Sequence, residues 1–469
     1  MLEKINFAPF KFIISLVFAL IITFCPEYTD LNEKATLSLF ILLFATGLWM
    51  SEAVPAFAVS LLVIFLNVIL LGFNSFNFAD SNSNWAVYLQ PWGSPLVFLF
   101  FSGFIMGVAA SKTRLDLWFT KKILYLVGDD PKHILTAILF ITFIFSMFMS
   151  NTATTAMMFT AVMPIIHSLK KDDKFAKGLL LSIAVGANIG GMGTIIGTPP
   201  NAIAVGLLGE TAPNFLEWML YGAIPALIIT FLLRFYLIKF YPTSQKHIDI
   251  SCIADIAQFD DSIAKIKHSK IIPTWKKIMT VVTFFITVLL WLTGSIHNIP
   301  TSVVAFVPVI VFTIFGIIDM DDIRLVRWDV IILIVGGLSL GIAVSKSGLA
   351  LWFANLFNFK DLSVIIFMLI FSYIIILISN FMSNTAAANI ILPLVLAFSI
   401  TFEQFDFIII AVALSASLAM VLPISTPPNA IIFSTGIVKT KDFIKLGVIV
   451  ALFAPIIVIL WVYFLNTLI

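Results

Sequence analysis

One short polar motif pair occurs twice in an otherwise apolar chain, and this duplication constrains the fold more than any other feature. Ser150-Asn151-Thr152 is followed by Thr198-Pro199-Pro200-Asn201, and Ser383-Asn384-Thr385 by Thr426-Pro427-Pro428-Asn429. Extended outward, Phe148 to Ala153 matches Phe381 to Ala386, and Thr198 to Ile203 matches Thr426 to Ile431. Upstream, Gly103, Gly107, Ser111, Lys112, Trp118 and Phe119 recur as Gly337, Gly341, Ser345, Lys346, Trp352 and Phe353 at a constant offset of 234. The motifs are therefore parts of two long structural repeats.

Hydrophobic residues make up 61% of the 469, charged residues 11%, and the mean hydropathy is +1.09. These values lie far outside soluble-domain averages and define a polytopic membrane protein. A net charge of +2 leaves no basic face for nucleic acid. No cluster of His, Asp or Glu points to a soluble enzyme. The first apolar run, 12–24, has no small-residue cleavage site after it and reads as a span, not a cleavable signal.

Apolar runs long enough for a hydrocarbon core of about 30 Å fall near 11–25, 36–50, 55–73, 95–110, 180–209, 218–238, 278–293, 299–318, 329–345, 408–435 and 444–467, giving eleven spans. Two further segments, 133–167 and 362–400, each hold a Ser-Asn-Thr at mid-length, where Asn and Ser compete for backbone hydrogen bonds. They are expected to be re-entrant hairpins, whose non-helical tips are tolerable only when buried in protein or lining a cavity. The expected fold is an all-α polytopic membrane protein with eleven transmembrane spans and two re-entrant hairpins.

Charge tests this topology. With the N-terminus cytoplasmic and the C-terminus outside, 24 of the 27 Lys and Arg residues fall in inner segments, and only Lys34, Lys346 and Lys360 fall outside, a strong positive-inside bias. The expected location is the cell (inner) membrane. Cys25 and Cys252 then lie on opposite sides and should not pair. The expected domains are 1–35, an extra N-terminal span; 36–238, a first repeat; 239–277, a cytoplasmic linker; and 278–469, a second repeat. Five spans per repeat is an odd number, so the second copy is inverted, and inverted repeats place two half-sites around a pseudo-two-fold axis in the membrane plane.

The paired motifs, the run from Met149 to Met158, and Gly190-Gly191-Met192-Gly193-Thr194 resemble the divalent anion/sodium symporter family over nearly the whole chain. The resemblance implies a homodimeric elevator-type transporter of dicarboxylates, tricarboxylates or sulfate, usually with sodium. It also implies that the hairpin tips and the Pro-Pro loops, with Thr198, Pro200, Thr426 and Pro428, build the substrate site. Ser146, Ser150, Asn151 and Gly197 would form one sodium site, and Ser379, Ser383, Asn384 and Ser425 the other.

Residue chemistry points the same way. No Lys or Arg lies near either motif, so a dianion would be met by helix N-termini at the hairpin turns and after the Pro-Pro breaks. Asn151, Thr152, Asn384 and Thr385 add neutral donors, and bound cations supply the remaining charge. Taken singly, Ser and Thr in membrane helices more often bond their own backbone or pack closely; repetition reverses that weighting for the motif residues. The cluster Gly190, Gly191 and Gly193 reads as close helix packing or a hinge. His133, His167, His247, His268 and His297 sit at span ends or in loops. The stretches 112–128 and 346–358 mix basic and aromatic residues just before each hairpin and read as interfacial linkers.

These features favour a sodium-coupled symporter of C4-dicarboxylates such as succinate, malate and fumarate. A sodium-independent exchanger and a sulfate or citrate transporter of the same fold stay open. A channel would need a continuous pore, and an intramembrane enzyme a nucleophile with its base.

Overall fold

Prolines and short polar side chains set most of the helix starts. The computed structural model describes residues 8–468 except 27, 29, 74–82, 171–172, 249–272, 357–358, 360–361, 400–401 and 403–405. Most of the linker expected at 239–277, with Cys252 and His268, lies outside the described residues. Among the described residues every regular element is helical.

Numbering helices of seven residues or more, the first half contains α1 (Pro9–Phe24), α2 (Glu33–Ser51), α3 (Ala56–Leu66), α4 (Pro95–Lys112), α5 (Leu115–Val127), α6 (Pro131–Phe148), α7 (Asn151–Ser168), α8 (Lys174–Gly190), α9 (Pro199–Leu208) and α10 (Phe215–Phe240). The second half contains α11 (Thr274–Leu292), α12 (Phe306–Ile314), α13 (Trp328–Lys346), α14 (Leu349–Leu356), α15 (Val364–Ser379), α16 (Asn384–Ser399), α17 (Asp406–Ala416), α18 (Pro427–Phe433) and α19 (Thr440–Leu468). Asp130 caps α6 by accepting from Lys132 N at 2.7 Å, Asp173 caps α8 from Phe175 N at 2.9 Å, and Asn214 with Glu217 closes a capping box on α10.

Among the described residues, eight helices are long and apolar enough to cross a membrane by length and composition. The segments 180–209 and 408–435 are each interrupted at the Pro-Pro motif, as α8 with α9 and as α17 with α18, the break expected there. The run 299–318 is also divided, at Ala305. Both Ser-Asn-Thr segments form helix–turn–helix units, with the second helix starting at Asn151 or Asn384. The linker stretches form separate helices, α5 and α14.

The helices fall into two groups. In the first, α13 packs on α3, α1 on α2, and α12 on α4 and α11. In the second, α6 packs on α8, α10 on α8 and α19, and α15 on α17 and α19. Helix α8 is the axis of this second group, with 94% of its central window buried against 22% for α11. Trp275, Ile278, Val282, Phe285 and Leu289 of α11 are exposed at helical spacing, the pattern of a lipid-facing stripe.

Hydrogen bonds and ion pairs reinforce each group internally. Lys112 Nζ pairs with Asp319 at 2.9 Å and with Asp322, tying α4 to the turn before α13, while Asn67 Nδ2 donates to Ser339 Oγ at 3.0 Å between α3 and α13. Lys177 pairs with Asp442 at 3.1 Å, tying α8 to α19, and Arg234 Nε donates to Thr136 Oγ1 at 2.7 Å between α10 and α6. Between the groups the contacts include rings: Phe148 with Phe284 at 5.8 Å and Phe215 stacked on Trp291 at 4.9 Å. A polar bond also crosses, from Asn389 Nδ2 of α16 to Leu333 O of α13 at 3.0 Å.

The two repeats are packed unequally. A Cβ on Gly337 would stand 1.8 Å from Asn389 Oδ1, and one on Gly341 would stand 2.4 Å from Leu207, so α13 lies hard against α16 and α9. Their counterparts Gly103 and Gly107 are less crowded, with nearest atoms at 3.3 Å and 3.8 Å. Near the end of α4 an apolar cavity of about 240 Å³ opens between α5, α6 and α11, lined by Leu115, Phe119, Phe145, Phe148 and Phe284.

Candidate transport site

Each half-site grows from a helix that starts at an Asn and a loop that starts where a helix fails. In the first repeat α6 stops at Phe148, Ser150 caps α7 by accepting from Ala153 N at 3.2 Å, and Asn151 is the first residue of α7. Facing it, α8 ends at Gly190, and the chain runs through Gly191–Gly193 and an extended Thr198 before Pro199 and Pro200 restart a helix as α9. Two prolines remove two N–H donors and favour the first helical turn.

Close approach of these parts requires glycine. A Cβ on Gly190 would come within 2.3 Å of Phe143 O, and one on Gly191 within 2.9 Å of Asn151 Oδ1. The glycine cluster is thus a packing device, as expected, and it brings the unwound loop onto the hairpin tip.

The oxygen atoms converge accordingly. Ser146 Oγ, wholly buried, donates to Ala187 O at 2.6 Å and lies 2.7 Å from the Asn151 amide. Turned with its nitrogen inward, that amide donates to Ser146 Oγ at 2.7 Å, Gly197 O at 3.2 Å and Ala187 O at 3.3 Å. Turned the other way, its oxygen faces three further oxygens. In that orientation the set would suit a hard cation held by neutral oxygen ligands.

The structure thus gathers Ser146, Asn151 and Gly197 at one point and adds the Ala187 carbonyl. Ser150 Oγ is engaged as the cap, and its carbonyl accepts from Thr154 N at 3.0 Å. Thr152 is half-buried on the first turn of α7, and Thr198 and Pro200 are buried at the start of α9.

The second half-site repeats the plan with a longer turn. Helix α15 ends at Ser379, four residues follow, and Ser383 Oγ accepts from Ala386 N at 3.2 Å. Ser379 Oγ and Asn384 Oδ1 are buried without a hydrogen-bond partner, as is Ser417 Oγ just past α17. Unpartnered buried oxygens are costly, and here Ser379 and Asn384 occupy the repeat positions of Ser146 and Asn151. Ser425, the counterpart of Gly197, turns its hydroxyl to Leu422 O at 2.7 Å. Thr385, Thr426 and Pro428 are buried, and Thr426 Oγ1 caps α18 from Asn429 N at 3.3 Å.

The halves interlock. Helix α7 of the first hairpin packs on α18 of the second repeat, and α16 of the second hairpin packs on α9 of the first. The two motif pairs therefore share one centre, and none of the side chains named there is charged.

Several residues given no site role by the sequence hold this centre. Asn201 Nδ2 donates to Gly191 O at 2.9 Å and Thr194 O at 2.7 Å; its repeat mate Asn429 donates to Met420 O at 3.1 Å and Leu422 O at 3.0 Å. Each unwound loop is thereby stapled by the last residue of its Thr-Pro-Pro-Asn. The loop-to-hairpin tie is exchanged between repeats: Thr194 Oγ1 donates to Met147 O, whereas Val421 N donates to Asn380 Oδ1 at 2.9 Å. Repetition was a sufficient signal for Asn201 and Asn429. Thr194 and Asn380 have no like-for-like mates and gave none.

A polytopic membrane protein with duplicated, charge-free polar loops between interlocked helices is the class these features define. The chain belongs to the sodium:sulfate symporter family, whose transmembrane region matches residues 8–469. It is 31% identical to the sodium-dependent dicarboxylate transporter SdcS of Staphylococcus aureus, over 97% of this chain and 89% of that protein. It is 30% identical to the SdcS of Staphylococcus saprophyticus, over 93% and 87%. Among solved structures the fold is shared with MtrF of Neisseria gonorrhoeae (TM-score 0.53, 12% identity, 98% of this chain and 95% of that one) and YdaH of Alcanivorax borkumensis (TM-score 0.56, 10% identity, 87% and 97%).

Proposed function

We propose that the protein is a sodium-coupled symporter of divalent anions, with C4-dicarboxylates such as succinate, malate and fumarate as its substrates. The observation that carries this reading is the pair of neutral oxygen clusters at repeat-equivalent positions, around Asn151 and around Asn384. Sodium entering each cluster turns the amide oxygens inward and leaves Thr152, Thr385 and the first N–H groups of α7 and α16 to meet one carboxylate each. Helix ends contribute about 0.3–1 kcal/mol apiece, too little for two negative charges, so the cations supply most of the compensation. The dicarboxylate transport named for the staphylococcal relatives supports the substrate class, and two half-sites suit a two-ended anion.

In this reading the chain crosses the membrane eleven times with its N-terminus cytoplasmic, the two hairpins are re-entrant from opposite faces, and residues 36–238 and 278–469 form inverted repeats. The group built on α6–α10 and α15–α19 moves as a unit past α1–α4 and α11–α13, with α5 and α14 as the connecting arms and a homodimer as the working form. Ring contacts between the groups support this elevator, because apolar surfaces slide without leaving polar groups unpaired. Tight packing at α13 against the open cavity beside α4 fits a state closed outside and open inside.

Uptake of labelled succinate into proteoliposomes tests the assignment. Uptake is expected to rise more than linearly with sodium, to vanish in choline, and to be competed by malate more strongly than by sulfate or citrate. Unchanged uptake in sodium-free medium would establish exchange instead.

A further inference from the structure

The repeat symmetry of the site fails at one buried hydrogen bond. Asn188 Nδ2 of α8 donates to Asn429 Oδ1 of α18 at 3.0 Å, with both residues 1% exposed. The network fixes the direction of this bond: Asn429 turns its NH₂ to the carbonyls of Met420 and Leu422, which only accept, so its oxygen faces Asn188 and Asn188 must donate. At the offset of 228 that relates Asn201 to Asn429, the counterpart of Asn188 is Ala416. Asn201 Oδ1, the atom that a second such bond would use, is buried without a partner. The bond thus joins the two repeats without a symmetry mate.

Its two ends stand at the two oxygen clusters. Asn188 directly follows Ala187, whose carbonyl accepts from Ser146 and faces the Asn151 amide. Asn429 holds the loop of the other cluster, with Leu422 O at 3.0 Å and Ser425 Oγ at 3.5 Å. A cation that orders the Leu422–Ser425 loop fixes the Asn429 amide. Through Asn188 that amide fixes the end of α8 and the Ala187 carbonyl. The second cation then meets a cluster whose ordering cost is already met, which is positive cooperativity without a direct contact between the ions.

We infer that Asn188 is a positioning residue that couples the two cation clusters, so that sodium binding at one raises affinity at the other. This rests on the reading that both clusters bind sodium. Coupling is reciprocal and commonly about 5- to 150-fold in affinity. Losing it lowers the Hill coefficient for sodium and raises the half-saturating concentration, while leaving turnover at saturating sodium in place. A residue needed only for packing would instead lower the amount of folded protein and the maximal rate, with the sodium profile unchanged in shape.

The test measures sodium-dependent succinate uptake in proteoliposomes and, in detergent, the rise of Tm with sodium, for the wild type, Asn188→Ala and Asn188→Ser. The serine variant keeps a small polar group too short to bridge to Asn429 and guards against failure of the alanine variant to fold. Expected are a Hill coefficient above one in the wild type, a value near one in both variants, a several-fold higher half-saturating sodium, and a maximal rate within about twofold of the wild type. A cooperative wild type with variants of equal Hill coefficient and half-saturation would overturn the coupling role and leave the symporter intact, as would variants that lose only folded yield or maximal rate. A wild type indifferent to sodium in both assays would remove the symport reading itself, and the coupling role with it.

Discussion

Replacing Asn151 with Ala removes the amide on which Ser146 Oγ, Ala187 O and Gly197 O converge, and Asn384→Ala removes its repeat mate. Hydrogen bonds to charged groups contribute about 1.5–3 kcal/mol, so each variant is expected to lose coupled succinate uptake by roughly 10- to 100-fold. Full activity of either variant beside loss in the other would exclude a two-fold site. The neighbouring glycines separate site from scaffold. In Gly191→Ala the new Cβ meets the tip of the Asn151 side chain at 2.9 Å, which can swing aside, and Thr198 Cβ at 3.3 Å, which must give by a few tenths of an ångström. That variant should fold, with unchanged Tm in sodium-free buffer and a raised half-saturating sodium. In Gly190→Ala the Cβ meets backbone, Phe143 O at 2.3 Å, and α8 cannot hold its distance from α6. That variant should give little monodisperse protein by size-exclusion chromatography.

Between elements, the decisive contact is the one across which the two helix groups meet. Phe148 at the hairpin tip and Phe284 of α11 stand ring to ring at 5.8 Å. With the native cysteines replaced, a disulfide between Phe148→Cys and Phe284→Cys should form under mild oxidant, stop uptake, leave sodium-induced stabilisation in place, and release uptake on reduction. Uptake at full rate in a quantitatively crosslinked sample would rule out the moving unit and favour gating around a fixed site. Asn389, bonded to Leu333 O and pressed on Gly337, is a polar contact that such a movement must break. Its repeat counterpart is Ala156, so the opposite half has no equivalent latch.

At the scale of the molecule, ion pairs near helix ends steady each group. The Lys112 ammonium beside Asp319, with the Asp322 N–H, holds the Asp319 carboxyl down to about 2. A lowered carboxyl contributes its stabilisation in full above its unfolded value of 3.8 and loses it as pH falls through about 2. Asp319 is 61% exposed, so water screens the pair and the contribution is below about 1 kcal/mol. The Tm difference between wild type and Asp319→Asn should therefore be small and constant from about pH 5 to 8 and close below about pH 4. A difference that grows between pH 5 and 8 would mean that another group governs this contact.

Apolar period, motif repetition and proline placement are local properties, and they were enough to mark the helix–turn–helix units, the broken helices and the separate linker helices in the sequence. Repetition also marked Ser146 and Asn151, which recur as Ser379 and Asn384, whereas Gly197, opposite Ser425, was marked only by the family resemblance. Asn188 is written once. Its partner lies 241 positions away on the other repeat, and nothing near it in the chain distinguishes it from an Asn that caps a turn. The same holds for Asn380, Thr194 and Asn389, whose roles depend on which backbone atom another element presents. The unequal packing of α4 and α13 is likewise a property of the folded state, because repeat-equivalent glycines at the offset of 234 meet different neighbours. Sequence determined the elements and the duplicated chemistry; the tertiary structure decided which single bonds join the halves, because those bonds come from packing between distant segments and carry no period.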